Sequence, residues 1–459
     1  MDFYSIIKAA SDFLWDYILL ILLCGSGIWF SIRTGFIQVR NFGKGMKQVF
    51  GNLSLKGETA GADGMSSFQA LTTAIAAQVG TGNIAGCATA IASGGPGAIF
   101  WMWVSAFFGM STMFGEAVLA QKYKTTIDGE VTGGPIYYIR AAFQGGFGKF
   151  LAGFFSVAII LALGFMGNMV QSNSIGTAFK TAFGVSPVII GVIVALLAGF
   201  VFMGGVQRIA SVTEKLVPLM AAFYILGCIA VLVINHNTVL LALQQIFVMA
   251  FQPQAMAGGV VGVTVKEAMR FGVARGLFSN EAGMGSTPHA HAIAKVNKPE
   301  EQGNVAMVGV FIDTFVVLTL NALVIISSGV VGTIDPATGE ARTGVVMAQY
   351  AFEKAFGGFG SIFVAVCLLF FAFSTIVGWY FFGESNIKAL FGKRAVKIYA
   401  ALVVVFVALG SALKVDIVWL MADFFNGLMV LPNLIALLAL TGTIVKISRG
   451  QDGLERLRK

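Results

Sequence analysis

Apolar runs of roughly twenty residues, the length an α-helix needs to cross the hydrocarbon core of a bilayer, follow one another along almost the whole chain. They fall at 13–32, 67–92, 97–120, 150–172, 187–203, 217–234, 265–292, 306–328, 361–382, 396–413 and 417–445. Water is absent at that depth, so such segments must satisfy their backbone groups internally. The expected fold is therefore an all-α polytopic membrane protein with eleven transmembrane helices. Composition agrees: the 459 residues are 57% hydrophobic and 11% charged, where a soluble domain carries about 25% charged residues. Mean hydropathy is +0.84. The spans leave no room for a large soluble domain.

The net charge of +8 raises the question of an acidic partner, and its distribution answers it. With the N-terminus outside and the C-terminus inside, most of the lysines and arginines fall on the cytoplasmic side. Lys8, Lys180, Arg342, Lys354 and Lys414 fall outside. That asymmetry is the positive-inside rule, so no nucleic-acid partner is expected. The loop after the first span, with Arg33, Arg40, Lys44, Lys47 and Lys56, is placed to touch anionic membrane lipid. Cys24, Cys87, Cys228 and Cys367 lie in apolar segments without metal-ligand spacing and read as packing residues. No Ser-His-Asp set, phosphate loop or metal cluster stands out, so the chain is not expected to be an enzyme. Asp12 and Asp16 in or beside the first apolar run, with no basic n-region, argue against a signal peptide.

The second run is interrupted by Gln78-Val79-Gly80-Thr81-Gly82-Asn83-Ile84-Ala85-Gly86. Glycines and an Asn weaken a helix where water cannot rescue its backbone. Freed N–H and C=O groups at that depth can hold an anionic headgroup or a desolvated cation. Close helix crossing at glycines is the structural alternative. Polar Gln78, Thr81 and Asn83, costly in lipid unless used, favour a solute site. The seventh run carries Lys266, Glu267, Arg270 and Arg275, so that face is expected to meet protein or water. It repeats the pattern: Ala274 and Asn280-Glu281-Ala282-Gly283 align with Ala77 and Asn83-Ile84-Ala85-Gly86. An odd number of spans separates the two, so they point in opposite directions. Paired interruptions in inverted halves mark a transporter's binding site.

Residues 94–109, Gly-Gly-Pro-Gly-Ala-Ile-Phe-Trp-Met-Trp-Val-Ser-Ala-Phe-Phe-Gly, resemble the signature of the sodium:alanine (or glycine) symporters. Residues 128–139 and 272–285 resemble that family too, and the likeness covers nearly the whole chain. It implies a leucine-transporter-type five-plus-five inverted repeat within the amino acid–polyamine–cation superfamily. The parts would be an extra helix and basic loop (1–65), a first repeat (66–236), an extracellular amphipathic connection (237–262), a second repeat (263–446) and a cytoplasmic tail (447–459). It also implies co-transport of Na⁺ with alanine, glycine or a similarly small neutral amino acid.

Several residues are expected to build the site. Gln78, Thr81, Gly82 and Asn83 would meet the substrate carboxylate, with the helix dipole assisting. Phe278, Ser279, Asn280 and Met284 face them from the second break, the polar pair taking the ammonium. Glu281 is assigned a structural role. Phe165, Asn168 and Gln171, at three-residue spacing, are expected on one helix face, with helix–helix bonding as the alternative for Gln171. Trp379 would close the pocket, or else sit in an interfacial belt. On the analogy of that fold, Ser374 and Thr375 with the carbonyls of Ala77 and Gly80 would hold Na⁺; bonding back to their own helix is the alternative. Glu116, Asp313 and Asp423 stay outside the core site. The reading is Na⁺-coupled import of alanine or glycine by alternating access. A proton-coupled or exchanging permease, and an ion channel, are the alternatives.

Overall fold

The computed structural model describes residues 3–51, 64–252, 264–336 and 339–451. Lys56, the 253–262 part of the expected connection and the 452–459 part of the tail lie outside them. Among the described residues seven helices are long and apolar enough to cross a membrane: Tyr4–Arg33, Gly97–Lys122, Gly145–Phe183, Gly205–Ile234, Pro299–Ser327, Gly358–Phe391 and Asp416–Ala439. Pro187–Phe202 is a shorter apolar helix, and Lys393–Gly410 packs beside it. The one sheet among the described residues is a short antiparallel hairpin, Thr125–Ile127 with Glu130–Thr132. The amphipathic stretch after 234 forms the helix His236–Met249. It covers the start of Gly97–Lys122, where Trp101 Nε1 donates to Ala250 O at 3.1 Å.

The two interrupted runs are each a pair of shorter helices. Ser67–Gln78 and Cys87–Gly94 are joined through Val79-Gly80-Thr81 and a wide π-helical turn, Gly82–Gly86. Val265–Asn280 and Pro288–Ala292 flank an unwound stretch. Both begin on a capping box, Ser66 with Gln69 and Thr264 with Glu267. Each box satisfies orphan N–H groups reciprocally. The two pairs lie side by side and antiparallel. A Cβ on Gly94 would stand 3.2 Å from Ala268 Cα, and one on Gly82 2.9 Å from Ser279 Cα. Only glycine permits that approach at Gly82, so one missing side chain sets how closely the two breaks meet.

Longer helices frame this centre. Gly272 lies on Ala98, and Gly303 lies on Phe114 and Val118, so Gly97–Lys122 is flanked by two helices through small residues. The N-terminal helix docks on the same element. A Cβ on Gly27 would sit 2.9 Å from Phe108 Cβ, and Ser31 Oγ meets Ser111 Oγ at 3.0 Å. Arg270 ties the same helix to the second interrupted run, reaching Asp12 and Asp16 at 2.6 Å each. Gly27→Leu should therefore overpack this seam and destabilise the protein by about 1–3 kcal/mol. Thermal unfolding in detergent measures it; an unchanged midpoint would mean that the helix is not held there.

Candidate functional site

At the first break, the N–H groups that would close the next helical turn turn aside to side chains. Gly80 N donates to Asn83 Oδ1 at 3.0 Å, and Thr81 N to Gln171 Oε1 at 3.2 Å. The carbonyls of Ala76 and Ala77 thereby lose their intrahelical donors. Ala76 O accepts the hydroxyls of Thr375 at 2.9 Å and Ser374 at 3.3 Å. Both hydroxyls also bond back to Phe371 O. Gly80 and Gly378 make this approach possible. A Cβ on Gly80 would fall 2.2 Å from Thr375 Oγ1, and one on Gly378 3.0 Å from the Ala77 Cβ.

The two breaks are bonded to each other. Gln78 Nε2 donates to Asn280 O at 2.8 Å. Between them lies Asp313, fully buried on the π-helical segment Phe311–Leu318. Its carboxylate accepts from Asn83 Nδ2 at 2.7 Å, from Ser279 Oγ at 3.0 and 3.1 Å, and from Thr314 Oγ1 at 2.8 Å. Asn280 Nδ2 donates to Thr314 Oγ1 at 3.1 Å. The side chains bonded to the Asp313 carboxylate among the described residues, Asn83, Ser279 and Thr314, are all neutral. Gln78 Oε1 and Thr81 Oγ1 at the first break, and Asn168 Oδ1 on the Asn168–Phe183 helix, are buried and have no hydrogen-bond partner among the described residues. Buried polar atoms are seldom left so.

The second break is held differently. Glu281 takes the left-handed conformation, φ 59°, ending the Val265–Asn280 helix. Its carboxylate receives Trp379 Nε1 and, at 2.5 Å, Ser286 Oγ. Glu116 accepts from the backbone N–H groups of Gly283 at 2.9 Å and Gly285 at 2.7 Å. Asn433 Nδ2 adds a bond at 2.6 Å and also donates to Gly283 O, while Tyr138 Oη fixes Asn433 Oδ1. One buried acid thus anchors the unwound stretch to two neighbouring helices.

A cavity of about 650 Å³ opens on one side and is lined by Ala85, Asn173, Arg275, Trp419 and Asp423 among others. Arg275 and Asp423 form a two-pronged ion pair, both contacts 2.7 Å. The guanidinium lies 4.7 Å from the Trp419 ring centre. Behind Trp419 come Phe278, at 4.9 Å, and then Trp379, edge-on to Phe278 at 5.6 Å. The ring series runs inward from the cavity wall, while Ala85 of the first break lines the cavity directly.

The structure brings Gln78, Thr81, Gly82, Asn83, Gln171, Ser279, Asn280, Ser374 and Thr375 together, and places Ala77, Gly80, Phe278 and Trp379 against them. Met284 sits within the second break, flanked by the glycines whose N–H groups Glu116 accepts. Three expectations need correction. Phe165 does not share a face with Gln171: its ring packs on Tyr399 at 5.7 Å and Phe406 at 4.6 Å. The cause is the π-helical stretch Ile160–Gly167, whose wider turn breaks three-residue periodicity. The carbonyl under Ser374 and Thr375 is that of Ala76, one residue before the expected Ala77. Asp313 belongs to the centre, not outside it. Both oxygens of Asn280 are also engaged, the carbonyl by Gln78 and Oδ1 by Ala282 N. A deeply placed Asp beside Thr314 was the available signal for Asp313; nothing local pointed to Asn321, whose Nδ2 donates to Asn83 O at 2.8 Å.

Comparison with known proteins gives this geometry its context. The sodium:alanine symporter family profile matches residues 1–452. The sodium/alanine symporter AgcS of Methanococcus maripaludis is 42% identical, covering 97% of this chain and 96% of that protein. The amino-acid carrier protein AlsT of Bacillus subtilis is 40% identical over 97% of this chain and 91% of its own. Among solved structures, MhsT in complex with L-phenylalanine superposes with a TM-score of 0.59 at 12% identity, covering 86% of this chain and 99% of that one; that likeness concerns the fold alone.

Removing the Glu116 carboxylate would strand two buried N–H donors, each worth about 1–3 kcal/mol. Glu116→Ala should lower the unfolding midpoint in detergent sharply, and Glu116→Gln, which keeps one acceptor, should do so less. Equal stability of Glu116→Ala and the parent would show that the clamp bears no load.

Proposed function

Because the chain belongs to the sodium:alanine symporter family, we propose that it imports a small neutral amino acid, alanine or glycine, together with Na⁺ by alternating access. We further propose eleven spans, formed by the extra N-terminal helix and two inverted five-helix repeats at 66–236 and 263–446. The N-terminus is outside and the C-terminus inside, as the distribution of lysine and arginine requires. The antiparallel course of the two broken runs and their matching capping boxes support the repeat.

The observation that carries the reading is the Asp313 carboxylate, buried between two helix breaks and met by neutral side chains. An ionised acid at that depth is costly without a cation, and Na⁺ is a cation that prefers oxygen. Asp313, with the oxygens of Ser279, Thr314 and Asn83, supplies one place for it. The released carbonyl of Ala76 and the hydroxyls of Ser374 and Thr375 supply another, near Gly80. The substrate carboxylate goes to the N–H groups near Thr81 and Gly82, within reach of Gln78, Asn168 and Gln171. Phe278 and Trp379 crowd the pocket, and this limits side-chain size. One Na⁺ crossing 100 mV supplies about 2.3 kcal/mol, enough to concentrate a zwitterion roughly fortyfold. Both ligands draw on the same two breaks, so their binding is linked.

A second reading is supported by the same carboxylate: Asp313 taking a proton in place of Na⁺. Uptake of labelled alanine into liposomes separates the two. Na⁺-driven uptake is expected, and equal uptake with a proton gradient and no Na⁺ would overturn the Na⁺ reading. Asp313→Asn should abolish Na⁺-dependent uptake in folded protein; retained Na⁺ dependence removes Asp313 from the ion path. Thr375→Ala should raise the half-saturating Na⁺ concentration by about tenfold, the loss of one polar contact, with a smaller change in alanine affinity at saturating Na⁺. The opposite pattern argues against its ion role.

A further inference from the structure

Away from the centre, a recess of about 960 Å³ runs between the Pro187–Phe202 and Lys393–Gly410 helices. Its walls are apolar: Leu196, Phe200 and Met203 on one side, Val396, Ala401 and Val404 on the other. Its floor is aromatic, with Tyr380 stacked on Phe202 at 3.7 Å. From Lys393 to Val404 the helix rises about 16 Å, close to the ~15 Å depth of one hydrocarbon leaflet.

One end of the recess is basic. Lys393 and Lys397 are one turn apart on the same helix face, and both line it. Lys388 and Lys393 grip Glu130, the latter at 2.8 Å to Oε1. Burial pushes the Glu130 carboxyl up, but the bonds from Lys388 and Lys393 outweigh it and hold its pKa below the usual carboxylate value. Arg208 stands at the same end, its guanidinium 4.4 Å from the Phe200 ring centre. The lining itself holds three lysines against two acids, Glu130 and Glu384, and Arg208 adds a cation outside it. Lys397 makes no ion pair among the described residues. An apolar slot of leaflet depth with surplus positive charge at its mouth fits an amphiphile with an anionic head.

We propose that this recess binds one anionic phospholipid of the cytoplasmic leaflet, its phosphate at Lys393 and Lys397 and an acyl chain between the two helices. The site is independent of the transport pocket and rests on the membrane orientation given above. A zwitterionic headgroup would bring its own cation to a mouth that is already positive, so phosphatidylcholine is a poor occupant.

The test is native mass spectrometry of the full chain, exchanged from detergent into mixed micelles of phosphatidylcholine with phosphatidylglycerol. One phosphatidylglycerol should be retained. K393Q/K397Q should lower retention by about thirtyfold, the effect of two basic residues near a membrane surface. Ala401→Phe, which fills the slot and keeps every charge, should lower it as well. K149Q/K298Q, which alters exposed lysines elsewhere, should leave it unchanged. Equal retention of the two lipids, equal loss in K149Q/K298Q, or displacement by inorganic phosphate alone would overturn the proposal. Alanine uptake is read separately, so failure here leaves the transport reading untouched.

Discussion

A backbone N–H released from its helix inside a bilayer must find an acceptor on a side chain, because no water can take its place. That requirement arranges the middle of this protein. Asn83 Oδ1 and Gln171 Oε1 take the N–H groups of Gly80 and Thr81. Glu116 takes those of Gly283 and Gly285. Thr375 and Ser374 answer the carbonyl of Ala76. Apart from Asn83, these partners come from Gly97–Lys122, Gly145–Phe183 and Gly358–Phe391, the long helices around the breaks. The interruptions are therefore stable only where they are, and each is tethered to a scaffold that has no interruption of that kind.

The tethers also bind the two interruptions into one unit. Gln78 reaches the carbonyl of Asn280, Gly82 lets Ser279 approach, and Asp313 bonds to side chains of both. Moving either half-helix changes the partners available to the other. Alternating access asks for such a bistable element, one whose two arrangements a ligand can bias. The aromatic series Trp419, Phe278 and Trp379 runs inward from the wall of the charged cavity. Its middle member belongs to the second broken run, so that run cannot shift without repacking these rings.

Much of this was legible in the sequence. Bilayer-length apolar runs gave the helices, and glycines beside Thr81 and Asn83 gave the first break. Asn280 and Gly283 gave the second, and the odd count between them gave their opposed directions. The long-range partners were not legible. Glu116 and Gly283 are 167 positions apart, and no local pattern links a buried acid to a distant N–H. Phe165 was misplaced for a different reason. Face assignment assumes one periodicity, and the wide turn at Ile160–Gly167 replaces it just before Asn168. The matching capping boxes at Ser66 and Thr264 were in plain view and support the proposed repeat at least as well as the Asn-x-Ala-Gly match does.

The three acids at the breaks share burial but differ in what surrounds them, and that difference separates their roles. Two of the three donors on Glu116 are backbone N–H groups, which cannot present a lone pair. A cation arriving there would meet donors, so this carboxylate is suited to holding the chain. Glu281 has one indole N–H, equally unable to reverse, and one hydroxyl. Asp313 is met by two hydroxyls, from Ser279 and Thr314, and by an amide whose other atom is an oxygen. Each hydroxyl is donor or acceptor according to its rotation. Turning them converts a satisfied carboxylate into a ring of oxygens without moving the backbone. Of the three, only Asp313 has surroundings that can serve both with and without a cation, and a site that must release what it binds needs that property.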